Sequence, residues 1–254
     1  AQDILEHVEA RNLFVLTLDR DRNWYRYHHL FGDFLKVQLL KKYPGIVKGI
    51  YQRAVNWCDG QGLEHEAINY ALSGGIYDRA IDLIADIAKD LIEVSGEHWT
   101  LLHWVKQLPD DYALKRPEIA VFYSWSLVFS RQHDEARNLL EMLDTYYEQQ
   151  KTHIAPKELR QFRSQIDLNM CMVEIGSDDT ERSSELVKKW LAIHPNDDPR
   201  YVLTAYVFQA YTALSTFETD LGTAAADKAV AIGEEYGVDY LEAWARSVAG
   251  LLKI

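Results

Sequence analysis

The chain has 254 residues and a globular composition, with 48% hydrophobic and 12% aromatic residues, which excludes extensive disorder. No apolar run approaches the ~20 residues that a membrane-spanning helix needs, and the N-terminus shows neither a basic segment nor an apolar signal core. Cys58 and Cys171 are too few for a disulfide framework, which fits a reducing compartment. We therefore expect a cytoplasmic protein with no membrane partner.

The net charge of −12 is unevenly distributed along the chain. Residues 1–60 contain nine Lys and Arg against seven Asp and Glu, so residues 61–254 carry about −14. A surface this acidic repels phosphate backbones. We expect no direct nucleic-acid binding by this chain, although the charge leaves small molecules and proteins open as partners.

The N-terminal part has the pattern of a winged-helix hairpin. An apolar run at residues 13–18 and a charged turn at residues 19–22 precede the segment WYRYHHLF, which begins at Trp24. Two short strands joined by a polar turn are typical of a wing. An amphipathic helix is predicted to follow through Phe34, Leu35, Leu39 and Leu40.

After the turn at residues 43–45, helical periodicity replaces the strand signals. Apolar residues recur at helical spacing in Ile46, Ile50, Ala54 and Trp57, and breakers follow at residues 60–62 and 73–75. The pattern Gly75-x-Tyr77-x-x-Ala80 is typical of the joint in tetratricopeptide-like repeats. Glycine permits the tight turn, and we expect Ala80 to allow the two helices to approach closely.

Prolines divide the rest of the chain into periods of similar length. Pro117, Pro156 and Pro199 lie 39 and 43 residues apart, and proline is favoured in the first helical turn. Each period contains two predicted helices, at residues 118–130 with 134–147, 158–175 with 180–193, and 201–217 with 221–236. A further helix begins near Asp239, and residues 99–109 are predicted to form an irregular helical pair. Stacked pairs of this kind form a superhelix in which each repeat contacts its neighbours.

The N-terminal motifs resemble MalT-like regulators, which are LuxR-type transcription activators of the STAND ATPase class. The resemblance rests on residues 12–15, the charged turn, WYRYHHLF, and then Ala54, Trp57, Gly62-Leu63 and residues 66–68. It implies a mainly α fold, with a winged-helix domain at residues 1–45 and a tetratricopeptide-like superhelical sensor domain at residues 46–254. It also implies that the ATPase core, with its ATP or ADP, and the DNA-binding domain lie outside these residues.

The resemblance assigns a role to His28. Tyr27-His28-His29-Leu30 is similar to the Met-His-Asp-Leu-like motif of STAND and related ATPases, in which the histidine contacts the nucleotide diphosphate. This places nucleotide phosphate sensing on His28 and His29, although His29 replaces the family's aspartate. A helix N-terminus with an imidazole N–H suits an anion. In the alternative reading, both histidines cap the wing and pack on Trp24 and Phe31. A third reading, DNA binding through Arg20, Arg22 and Arg26, is disfavoured by the small net charge.

Aromatic residues of the helical part are the candidates for an effector surface. Rings on a concave face can hold sugars or aromatic effectors, while the alternative for each residue is the helix core. The candidate effector residues are Trp99, Trp104, Tyr123, Trp125, Tyr206 and Tyr211. We predict no metal site, because His98 and His103 are five residues apart rather than the four that bring two ligands to one helical face.

The sequence contains no pattern typical of an active site. Paired aspartates at residues 110–111, 178–179 and 197–198 are interpreted as helix caps and turns. The first hypothesis is a regulatory fragment that senses a small-molecule inducer or an inhibitory protein and is coupled to the ATPase core and DNA-binding domain of the same protein. The second is a free-standing helical-repeat scaffold for a protein or peptide.

We expect residues 1–254 alone not to hydrolyse ATP, because Gly-x-x-x-x-Gly-Lys-Ser/Thr is absent from the sequence. Release of phosphate from ATP by the purified chain measures this, with an ATPase that has a phosphate loop as the positive control. Turnover that a substitution within residues 1–254 abolishes would contradict both the expected lack of catalysis and the resemblance.

Overall fold

The computed structural model describes residues 2–11, 13–17, 25–109, 112 and 116–252. Within these ranges the chain forms thirteen α-helices and one two-stranded sheet, so the predicted mainly α helical-repeat fold is confirmed. The predicted charged turn at residues 19–22 and Trp24 lie outside the described residues, as do the paired aspartates at residues 110–111.

The N-terminal region contains the predicted hairpin and its following helix. Helix α1 (Gln2–Ala10) precedes strands β1 (Val15–Thr17) and β2 (Tyr25–Tyr27), and helix α2 (His29–Lys42) follows. The strands are antiparallel, with Val15 opposite Tyr27 and Thr17 opposite Tyr25. Arg26 and Tyr27 are exposed in β2, and Tyr25 is half-buried.

Helices account for the rest of the chain. Their bounds are α3 (Pro44–Gly60), α4 (Glu64–Ser73), α5 (Tyr77–Glu93), α6 (His98–Val105), α7 (Pro117–Phe129), α8 (His133–Gln150), α9 (Pro156–Gly176), α10 (Thr180–Ile193), α11 (Pro199–Ser215), α12 (Thr219–Tyr236) and α13 (Asp239–Leu251). The predicted boundary at residues 45 and 46 falls in the first turn of α3, and the division into two domains stays a prediction.

Local chemistry accounts for the starts of α7, α9, α10 and α11. Pro117, Pro156 and Pro199 each occupy the first position of their helix, where the missing N–H is not needed. Asp179 and Asp198 cap α10 and α11, each accepting a hydrogen bond from a backbone N–H of the first turn. These caps confirm the interpretation of both aspartate pairs. The prediction of an irregular helical pair at residues 99–109 is wrong, because the described residues there form the single helix α6 and a turn.

The same backbone turn recurs between successive helices, at the four joints described next and also at Gly62, where φ is +69° and the Leu63 N–H donates to the Cys58 carbonyl at 2.9 Å. One residue has a positive φ at each joint, namely Gly75, Arg131, Asp178 and Phe217 at +63°, +61°, +61° and +59°. The next N–H donates to a carbonyl five residues back at each joint, as in Ile76 to Ala71, Gln132 to Leu127, Asp179 to Glu174 and Glu218 to Ala213, at 2.9 to 3.0 Å. This is the Schellman arrangement, which satisfies the carbonyls at a helix end. The prediction that Gly75 needs a glycine-type conformation is confirmed.

A small residue follows each of these turns at a fixed distance. The residue five positions after the positive-φ residue is buried at all four joints, and these residues are Ala80, Ala136, Ser183 and Gly222. At Gly222, an added Cβ would lie 2.9 Å from a Leu252 methyl carbon and 3.3 Å from the Ala213 Cβ. Because the turn sets the angle between the helices, a small side chain is needed where they meet.

Helices α5, α7, α9, α11 and α13 form an inner row. Helix α5 packs on α7, α7 on α9, α9 on α11, and α11 on α13. Buried apolar residues form three clusters along the array, the largest of them from α3 to α9. Trp244 of α13 packs against all three clusters.

The array departs from the one-dimensional stacking that the repeats predict. Glu93 at the end of α5 contacts Arg200 and Tyr201 at the start of α11, and His98 of α6 contacts Tyr240 of α13. These contacts link helices that are not neighbours in the row. The residues on both sides of the α5–α6 turn lie against the N-terminal ends of α11 and α13. The ends of the inner row are therefore joined.

We predict that Ala80→Leu destabilises the chain by ~1–3 kcal/mol, because the Ala80 side chain is fully buried in the core beside the joint. Hydrogen exchange should lose protection first over residues 63–95, with the pairs after Pro117 retained. Asp90→Leu on the exposed side of α5 is the matched control and should change stability little. A uniform loss of protection throughout the chain would contradict a repeat array.

Candidate functional site

His28 lies between the hairpin and α2, at the position that the sequence predicts for phosphate sensing. Its backbone N–H donates to the Phe14 carbonyl at 2.6 Å, and its own carbonyl accepts the Gly32 N–H at 2.9 Å. These two bonds fix His28 as the N-cap residue of α2, and its side chain makes no capping hydrogen bond. The imidazole is therefore available at the positive end of the helix dipole.

His29 begins α2 and is exposed, while His28 is half-buried. Their rings lie 4.4 Å apart between centroids, with planes inclined by 30°. The structure thus brings the two predicted residues together. Phe31 packs instead on Phe14 and Tyr27, at centroid distances of 5.0 and 5.8 Å.

Helix α2 exposes its apolar residues to solvent. None of its fourteen residues, all of which the structure describes, is buried. The large exposed apolar side chains are Leu30, Phe34, Val37 and Leu40. A groove of about 440 Å³ runs along this helix between Tyr27 and Tyr43, with Leu35 and Leu39 in its floor. An apolar surface of this extent is typical of a site where another domain or protein docks.

The predicted effector residues occupy different environments. Trp104 is buried and donates from Nε1 to Asn69 Oδ1 at 2.9 Å, and Tyr123 is buried beside Glu135. Trp99 is 70% exposed, Tyr211 is exposed, and Tyr206 is half-buried beneath the Lys228 ammonium. Trp125 is buried where α7 faces α11 and α13, so the structure does not gather the six residues on one surface.

A closed cleft in the inner row was not predicted from the sequence. Its aromatic walls are Trp125, Phe129, Tyr240 and Trp244, and the space left between them is about 10 Å³, which holds at most one water molecule. We name this the inner cleft. Residues from α5, α6, α7, α11 and α13 line it, so no local sequence pattern marks it.

A cluster of polar side chains, which we name the polar bridge, closes one side of the inner cleft. It consists of Glu93, Gln165, Asp198, Arg200 and Tyr201. The Tyr201 hydroxyl donates to Glu93 Oε1 at 2.8 Å, and the Arg200 guanidinium lies 2.7 Å from Glu93 Oε2. Gln165 donates to the Tyr201 oxygen from α9.

The charges of the polar bridge influence one another strongly. The hydrogen bonds from Arg200 to Asp198 and the proximity of Glu93 raise the pKa of the Arg200 guanidinium. Burial raises the pKa of the Glu93 carboxyl, against the opposing effects of Tyr201, Arg200 and Lys89. Burial above all, with Glu93 nearby, raises the pKa of the Tyr201 phenol, which keeps this hydroxyl a proton donor.

His98 closes the other side of the inner cleft. Its ring stacks on Phe129 with centroids 4.0 Å apart, and Nε2 lies 3.3 Å from the Tyr240 hydroxyl. Its Nδ1 is buried and has no hydrogen-bond partner among the described residues. Burial lowers the pKa of His98 to about 4, so the imidazole is neutral at pH 7.

Comparison with known proteins identifies the N-terminal region. Residues 1–47 match the family model described as the MalT winged helix domain. The match confirms the resemblance to MalT-like regulators that the sequence motifs indicate.

The curated relatives cover more of the chain. The serine/threonine-protein kinase PknK of Mycobacterium tuberculosis H37Rv is 28% identical over 215 residues, which are 85% of this chain and 19% of the kinase. The HTH-type transcriptional regulator MalT of Vibrio campbellii is 25% identical over 191 residues, 74% of this chain and 20% of that protein. MalT of Vibrio parahaemolyticus is 24% identical over 202 residues, 79% of this chain and 22% of its own length. The chain spans about a fifth of these relatives, and no solved structure matches it.

Two features are absent from the described residues. No described helix is both long and apolar enough to cross a bilayer. No group of three or more His, Cys, Asp or Glu side chains in the described part of the chain is placed to hold a metal ion.

We predict that His98 makes stability fall with acidification. Its folded pKa of about 4 lies below the ordinary value of 6.5, so the unfolded chain takes up the proton first. The contribution of neutral His98 to the free energy of unfolding is present above pH 6.5 and declines towards pH 4. Its loss between pH 7 and pH 5 is about 2 kcal/mol. Urea unfolding at both pH values should show this loss reduced in His98→Phe.

The matched control is His103→Gln, which replaces an exposed histidine of the same helix. It should keep the full pH dependence of the unmodified chain. An equal loss of stability in His98→Phe and the unmodified chain would show that His98 does not titrate as its burial requires.

Proposed function

We propose that this chain is a regulatory fragment of an ATP-dependent transcription regulator of the MalT type. In this proposal the helical array senses a small-molecule inducer or an inhibitory protein, and the winged-helix region couples that event to the nucleotide held by an ATPase core elsewhere in the protein. The single observation that carries the proposal is the MalT winged helix match at residues 1–47, followed directly by the helical array.

The position of His28 supports the coupling role. Its backbone is fixed by the bonds to Phe14 and Gly32, so the imidazole has a defined place at the start of α2. An anion there would meet an imidazole N–H together with the free N–H groups of the first helical turn. ADP or ATP is therefore the proposed ligand, with its remaining contacts supplied by the ATPase core.

The exposed apolar face of α2 supports docking to that core. Leu30, Phe34 and Leu40 are each more than half exposed. Burying such side chains contributes roughly 1.5–3 kcal/mol each. A domain that covers α2 would also enclose His28, which lies at the start of this helix.

The relatives support a regulatory rather than catalytic part. The same stretch of sequence is shared with a protein named as a kinase and with proteins named as transcriptional regulators, and it covers about a fifth of each. A segment common to proteins with different outputs fits a role in control. We propose that this chain has no catalytic activity of its own.

In the longer protein with its ATPase core, we expect His28→Ala to weaken retention of ADP and to raise activity without inducer. Losing a charge-assisted hydrogen bond costs ~1.5–3 kcal/mol, which shifts a poised equilibrium more than tenfold. Nucleotide content of the purified protein and basal expression from a reporter gene measure the two effects.

His153→Ala, an exposed histidine between α8 and α9, is the control and should change neither quantity. His29→Ala tests whether the second ring contributes to retention. If His28→Ala and His29→Ala both leave nucleotide content and basal activity unchanged, the assignment of phosphate sensing is wrong.

A further inference from the structure

Two sets of contacts join helices that are not neighbours in the inner row, α5 with α11 and α6 with α13. Glu93 is 107 residues from Arg200 in the sequence, and the Glu93 residue is only 5% exposed. In an array whose repeats touch only their neighbours, the ends are free. The polar bridge therefore imposes a closed form that stacking of the pairs does not require.

The charged groups of the polar bridge have further partners on their own sides of the contact. Arg200 donates to Asp198, the residue that caps the same helix, with Nε 2.9 Å from Oδ1 and Nη2 2.5 Å from Oδ2. Lys89 lies one helical turn before Glu93 and acts electrostatically on its carboxylate. Each charge thus keeps a partner on its own side after separation.

Energetics favour the same conclusion. A buried ion pair gains attraction but loses hydration, and the two nearly cancel. An apolar seam of the same extent would hold the ends together much more firmly. The polar bridge by itself is therefore close to balance, while the aromatic contact of Phe129 with Trp244, at 5.9 Å between ring centroids, favours the closed form.

A second contact across the inner cleft is made by the backbone of Gly96 and the ring of Tyr240. The turn between α5 and α6 places Gly96 at φ +65°, and a Cβ added there would lie 2.5 Å from Cε2 of Tyr240. The backbone of this turn thus rests against the Tyr240 ring. A side chain at position 96 would force the two surfaces apart.

We propose that the polar bridge is a gate, and that the array exchanges between this closed form and an open form in which α5 and α6 separate from α11 and α13. Opening exposes Trp125, Phe129 and Trp244, which form the walls of the inner cleft. This gate is a property of the helical array alone, so it is tested without nucleotide, inducer or ATPase core.

The first test compares two buried carboxylates in the full 254-residue chain by hydrogen exchange and small-angle X-ray scattering. Glu93→Gln removes the charge at the gate. Glu174→Gln is the matched control, because Glu174 is equally buried but pairs with Arg137 of the preceding helix at 2.6 Å. Glu93→Gln should raise exchange about tenfold in both residues 90–100 and 239–246 and increase the radius of gyration. Glu174→Gln should affect only α8 to α10, because Arg182 of α10 also lies 3.3 Å from Glu174 Oε1.

The second test opens the cleft without changing any charge. Gly96→Ala adds a methyl group against Tyr240, and Gly62→Ala is its control, with φ +69° and no atom within 4 Å of the added Cβ. Both variants carry the same backbone strain, but only Gly96→Ala should raise exchange at both sides of the cleft.

The gate is supported if Glu93→Gln and Gly96→Ala each loosen both sides while their controls do not. If either variant changes only the segment that carries it, the two sides open independently and there is no gate. If exchange rises uniformly throughout the chain, the variants unfold it as one unit, and the proposal is equally overturned.

Discussion

Each helical pair depends on a single residue that reverses the chain with a left-handed backbone. The Schellman hydrogen bonds at Gly75, Arg131, Asp178 and Phe217 are nearly identical in length, although the four side chains have nothing in common. The turn is therefore dictated by the backbone, and the carbonyls at each helix end are satisfied within it. The close approach at Ala80, Ala136, Ser183 and Gly222 follows from the angle that this turn sets.

Local chemistry made much of this fold predictable. The prolines at 117, 156 and 199 mark helix starts because proline suits a first turn, and the structure places all three there. Glycine revealed the joint at Gly75, but Arg131 and Phe217 adopt the same conformation without that signal. The small residue five positions later is present in the sequence at each joint, and this spacing would have identified the other three turns.

The candidate site was predictable only in part. Tyr27 and His28 could be placed at the end of a strand and the start of a helix, because these neighbours in sequence are also neighbours in the structure. The inner cleft could not be predicted, because Glu93 and Arg200 belong to different helices. The distance between those helices depends on the accumulated rotation of every pair between them. Ring type alone did not distinguish Trp104 in the core from Trp99 on the surface, since both fit a helical pattern.

The polar bridge also limits how this array can evolve. Repeat proteins ordinarily gain and lose units by duplication or deletion, since each unit needs only its neighbours. Here an additional pair of helices between α5 and α11 would place Arg200 too far from Glu93 to form the ion pair. A deleted pair would move the start of α11 away from Glu93 in the opposite direction. The number of units between these helices is consequently fixed as long as the polar bridge is kept, while additions outside this interval leave it intact.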